Sequence, residues 1–182
     1  MARHPADRAA APARRDERTE VLDALRRIIR TLRISAGRAE RETGVSSAQL
    51  FVLQQLAEAP AHSLNELAER THTHQSSVSV VVSRLVKRRL VMREQSRTDA
   101  RRVVLAVTPA GRALAKRAPE PAQARLIDAL ARLSRSEVHA LAGGLRRLVE
   151  EMGAANEPAT MLFEPDRTRR ARPTRPRATE GV

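Results

Sequence analysis

The stretch SLNELAERTHTHQSSVSVVVSRLVKRRLVMREQSRTDARRVVLAV, residues 63–107, decides the fold. Its first residues, Ser63-Leu64-Asn65-Glu66, have the form of a capping box, in which a serine hydroxyl and a glutamate carboxylate satisfy free N–H groups at a helix start. Leu64, Leu67 and Ala68 then predict a helix of barely two turns that ends near Arg70. After the connector Thr71-His72-Thr73-His74 comes a valine-rich run of fifteen residues from Gln75 to Arg89. Its β-branched content suits a strand, but the run is long for one. Val78, Val81, Val82, Leu85 and Val86 recur at helical spacing, so a second helix is predicted. Two strands follow, Val91 to Gln95 and Arg102 to Val107, in which Val103, Leu105 and Val107 alternate. The loop between them, Ser96-Arg97-Thr98-Asp99-Ala100-Arg101, is polar and basic.

Upstream, Val21, Leu22, Leu25, Ile28, Ile29 and Leu32 mark one face of a long helix from Glu17 to Thr43, and Gly44 is placed to end it. Ser46-Ser47-Ala48-Gln49 resembles another capping box and opens a shorter helix through Leu50, Leu53 and Leu56, stopped by Ala59-Pro60. Downstream, Thr108 and Pro109 supply an N-cap and an N1 proline for a helix running toward Leu133, which Pro119 and Pro121 must interrupt. The capping box Ser134-Arg135-Ser136-Glu137 opens the last helix. Its Val138, Leu141, Leu145, Leu148 and Met152 form an a/d-like seam that a partner helix must cover. Residues 1–16 and 154–182 are rich in Arg, Pro and Ala without apolar period, and both are expected to be disordered.

The order helix, short helix, turn, helix, hairpin is that of a winged helix-turn-helix, whose second paired helix enters the DNA major groove. The expected fold is therefore mainly α with a small β-hairpin wing, in one domain over residues 17–153. Residues 46–107 form its DNA-binding lobe, and helices over 17–43 and 109–153 form a dimerisation domain. Leu22, Leu25, Ile29, Val138, Leu141, Leu145 and Leu148 are the expected dimer contacts.

Composition agrees with a polyanionic partner. Thirty-four Lys and Arg against 21 Asp and Glu leave a formal charge of +13. No apolar run approaches the ~18 residues that span a bilayer, and the N-terminus lacks the apolar core of a signal peptide, so no membrane partner and a cytoplasmic location are expected. Absence of cysteine excludes disulfides, thiolate nucleophiles and Cys-ligated zinc. With no Trp or Tyr and only two Phe, stacking on single-stranded nucleic acid is disfavoured, which leaves double-stranded DNA. Only seven Gly and no nucleophile motif, phosphate loop or metal constellation argue against an enzyme, and neither cofactor nor metal is expected.

A groove-facing helix needs short side chains that let the backbone approach, with hydroxyls and amides for base edges and phosphates. Gln75, Ser76, Ser77, Ser79 and Ser83 meet that need, and Arg84 on the same helix is a further candidate for the groove. Arg93, Arg97, Asp99 and Arg101 are the candidate wing residues, with Asp99 placed to orient Arg101 and the arginines long enough for a minor groove. Ser63, Thr73, His74 and Lys87 are candidates for the DNA backbone. The expected activity is sequence-specific transcriptional regulation. The competing reading is an architectural, nucleoid-type protein that coats DNA with little sequence preference.

Leu64-Asn-Glu-Leu-Ala68, the run Ser76 to Val91, and Asp99-Ala-Arg101 followed by Val103 to Gly111 together resemble the multiple-antibiotic-resistance regulators, the MarR family, over about residues 17–153. The resemblance implies a homodimer on a pseudo-palindromic operator. It also implies repression relieved by a small-molecule effector, often an aromatic anion, held between the dimer domain and the winged lobe; no residues are assigned to that ligand site. Asp99 and Arg101 are similar to the family's Asp-x-Arg wing motif. Arg89 stands where many members have Gly, so the usual left-handed helix cap is expected to be absent. Pro119 and Pro121 break a helix commonly continuous in the family.

Overall fold

The computed structural model describes residues 16–95 and 103–164. The elements run α1 (Glu17–Thr43), α2 (Ser47–Glu58), α3 (Leu64–Arg70), α4 (Gln75–Lys87), β1 (Val91–Gln95), β2 (Val103–Val107), α5 (Pro109–Arg117), α6 (Ala122–Ala131) and α7 (Arg135–Glu151). Asp16 caps α1 and Gly44, in the left-handed conformation at φ 70°, closes it with its N–H on Glu40 O. Glycine adopts that conformation without the Cβ penalty of other residues.

The winged lobe packs around α2, an almost wholly buried helix that brings Leu50, Val52, Leu53 and Leu56 against Leu67, Val78, Val81, Val82 and Leu85. Phe51 belongs to this core. Strands β1 and β2 pair antiparallel, with Val91 opposite Val107 and Arg93 opposite Leu105. Ala61 extends the ladder on the far side of β2: its N–H donates to Leu105 O at 3.0 Å and its carbonyl accepts from Leu105 N at 2.7 Å. A lone alanine after a proline carries no strand pattern, which is why this third rung was not foreseen.

The helix expected from 109 to 133 is two helices. Pro119 and Pro121 separate α5 from α6, and Pro121 itself precedes the first turn of α6. The predicted capping box on α7 is complete: Ser134 Oγ accepts from Glu137 N, and the Glu137 carboxylate accepts from Ser134 N at 2.8 Å. The Ser134 hydroxyl, which donates to the Glu137 carboxylate at 2.6 Å, and then the Ser134 N–H hold that carboxyl below its usual range.

The expectation of a disordered tail from residue 154 does not hold for 154–164. Met161 is only 3% exposed and joins the core of the lobe, because Met161-Leu162-Phe163 is an apolar triplet with surface to bury.

Candidate nucleic-acid interface

Helix α4 has a buried stripe, Val78, Val81, Val82 and Leu85, and this fixes which side chains face outward. Gln75, Ser76 and Lys87 are exposed, whereas Ser77, Ser79, Ser83 and Arg84 are half-buried. Val80, which the sequence did not mark, is also exposed on this helix. Its surface is thus built from short polar groups, one valine and one lysine, a profile that admits close approach to a groove.

His74 occupies the N-cap position of α4 but makes no side-chain cap hydrogen bond, and no acid lies in the first turn. The N–H groups at this helix start carry positive partial charge and suit an anionic oxygen. Thr73 is half-buried and His74 exposed beside them. Ser63, foreseen as a backbone contact, uses its hydroxyl to accept from Glu66 N at 3.0 Å as the cap of α3. The Glu66 carboxylate reaches one residue further back than a capping box requires, accepting from His62 N at 2.7 Å.

The far end of α4 corrects the expectation about Arg89. The left-handed cap is present, with Arg89 itself at φ 56°. Arg89 N donates to Val86 O at 2.9 Å and Leu90 N to Leu85 O at 3.0 Å, the two bonds of a Schellman motif. The helix therefore stops at Lys87, two residues earlier than its apolar pattern suggested. Thr108 clamps the following turn. Its hydroxyl donates to Arg89 O at 2.8 Å, its N–H to Leu90 O at 3.0 Å, and its Oγ accepts from Gly111 N at 3.0 Å. The wing's root is thereby fastened to both α4 and α5.

Arg93 is exposed on β1. Arg97, Asp99 and Arg101 lie outside the described residues. Two foreseen groove residues have other partners. Ser77 Oγ donates to Ala159 O at 3.4 Å, and the Arg84 guanidinium pairs with the Glu164 carboxylate. Sequence reasoning missed residues 159–164 because they sit in a stretch dominated by Arg and Pro, although the Met-Leu-Phe triplet was a visible signal.

The foreseen dimer residues lie on helices with little cover. Leu22 and Ile29 on α1, and Val138, Leu141, Leu145 and Leu148 on α7, are exposed; Leu25 is half-buried. No residue of α7 is buried. A cleft of about 590 Å³ opens between the Thr71–His74 turn of the lobe and α6, lined by Gln123, Leu126, Ile127 and Leu130 with Met161 and Leu162. Among the described residues no group of three or more His, Asp or Glu could hold a metal ion. No described helix is long and apolar enough to cross a membrane.

Residues 43–102 match the family model described as MarR family. A Thauera aromatica protein assigned as transcriptional regulator of the hcr operon is 34% identical over 108 residues, covering 59% of this chain and 65% of that protein. The HTH-type transcriptional repressor MdtR of Bacillus subtilis is 35% identical over 68 residues, covering 37% of this chain and 44% of MdtR. The matched region thus spans less than two thirds of each relative. The transcriptional regulator BldR of Sulfolobus solfataricus is 25% identical and superposes with a TM-score of 0.48, covering 75% of this chain and 96% of BldR.

Proposed function

We infer that this chain, a member of the MarR family, is a regulator rather than an enzyme and acts as a homodimeric, sequence-specific repressor on double-stranded DNA in the cytoplasm. The observation that carries the reading is α4: its N-terminus lacks a side-chain cap, and Gln75, Ser76 and Lys87 are exposed along it. Gln75, Ser76, Ser79 and Ser83 read or line the major groove, while Lys87, Thr73 and His74 approach the phosphates. Arg93, at the root of the hairpin, adds charge on the wing side.

The apolar surface of α1 and α7 supports the dimer. Leucines left in water along one face of α7 gain roughly 25 cal/mol per Å² when a second copy covers them. The cleft between the lobe and α6 supports release by a small effector. Its size is within the range of small-molecule sites, and it is walled both by an element of the lobe and by an element of the helical domain, so a ligand there can bias their relative position.

Selection of bound sequences from a random duplex library at about physiological salt tests the reading. A two-fold symmetric motif with half-sites about one helical turn apart is the expected result. Enrichment of no motif overturns it in favour of an architectural DNA coat.

A further inference from the structure

Ser77 and Arg84 are seven residues apart on α4, two helical turns, and so share one flank of the recognition helix. Both are engaged by the same short stretch of chain. Ala159 O accepts from the Ser77 hydroxyl, and the Glu164 carboxylate pairs with the Arg84 guanidinium. Between these two contacts Met161 is inserted into the core, which anchors the stretch against the lobe. The other Glu164 oxygen accepts from Ser46 Oγ at 2.9 Å, at the start of α2. Glu164 is the more enclosed partner, its side chain 7% exposed against 24% for Arg84.

We propose that residues 159–164 are a built-in competitor for DNA, in which the Glu164 carboxylate occupies the Arg84 guanidinium that a phosphate or a guanine edge otherwise takes. The inference rests on the DNA-binding reading above. A carboxylate and a phosphate present the same chemistry to a guanidinium, paired anionic oxygens that accept charge-assisted hydrogen bonds. Both cannot hold it at once. The carboxylate also places negative charge beside the helix that must approach a polyanion, so repulsion adds to competition. DNA binding then requires the stretch to lift from the flank, and the apparent affinity falls by the fraction of molecules in which it is closed. An ion pair serving the fold alone has the opposite signature, because its removal loosens the lobe and weakens binding.

The test compares full-length wild type with Glu164→Gln and Glu157→Gln by fluorescence anisotropy on a labelled duplex of about three helical turns. The probe is the duplex enriched by selection, with a scrambled duplex beside it. Glu157 is exposed two residues before this segment, so its change matches the charge gained without touching Arg84. Glu164→Gln is expected to bind about tenfold tighter at physiological salt, clearly more than Glu157→Gln. Its log–log salt slope should steepen by about 0.9, one additional phosphate contact. Arg84→Gln should abolish that gain when it is introduced into the Glu164→Gln background. Equal affinity for Glu164→Gln and Glu157→Gln, or weaker binding by Glu164→Gln, overturns the proposal. Failure of all three proteins to bind either duplex removes the DNA-binding reading itself, and this inference with it.

Discussion

Arg88 Nη1 donates to Gly44 O at 2.6 Å, so the C-cap residue of α4 also holds the carbonyl that ends α1. A left-handed glycine leaves its carbonyl without a helical partner, and the guanidinium satisfies it. The contact ties the proposed groove-reading helix to the proposed dimer helix, and in the proposed dimer two such ties would set how far apart the two copies of α4 stand.

Arg88→Ala should therefore cost about 1 kcal/mol of stability, the worth of one hydrogen bond. Its larger effect should fall on geometry. Against a series of operators whose half-site spacing differs by single base pairs, wild type should prefer one spacing and the variant should discriminate less. A uniform loss across the series would assign Arg88 to a plain phosphate contact instead.

Arg89 holds φ 56° without being glycine, a conformation that costs an L-residue roughly 1–2 kcal/mol. Arg89→Gly should stabilise the chain by about 0.5–1 kcal/mol once the greater chain entropy of glycine is offset. Urea unfolding checks this, and a lower midpoint would show that the arginine side chain contributes more than its backbone costs.

Gly111 lies in the first turn of α5, pressed against the turn that joins α4 to β1. A Cβ there would stand 2.1 Å from Leu90 O, a backbone atom that cannot rotate aside. Gly111→Ala should destabilise by about 3 kcal/mol, the upper end for overpacking, and separate the wing's root from α5. An unfolding midpoint near wild type would mean that α5 shifts freely.

Leu145 is 43% exposed in the middle of the α7 seam. Leu145→Asp should convert dimers to monomers, because the carboxylate would be buried without a partner in the interface. Sedimentation velocity gives the answer directly, and an intact dimer would place the interface elsewhere.

The parts of the fold that were legible are those whose signals are local. Gly44 ends α1, Ser134 and Glu137 open α7, and the two prolines divide α5 from α6, each through backbone chemistry that neighbouring residues determine. What was not legible depends on residues distant in sequence. Arg89 has no glycine-like signature, and its left-handed turn is enforced by Thr108 and the pairing of β1 with β2. The Ala61 rung exists because β2 passes beside it. In the proposed interface, the polar sides of α4 could be read from its period. That Ser77 and Arg84 lie under residues 159–164 could not, since those contacts close loops of about eighty residues.

The same closure can be made visible. The chain has no Trp and no Tyr, so it is dark to the usual tryptophan fluorescence. Phe163 sits beside Glu164 with its ring partly exposed. A single tryptophan at that position would be the sole emitter, and its colour would report whether the segment lies on the lobe or has left it. Placed in water by DNA, it would shift to the red, giving an optical readout of the protein's state that needs no label.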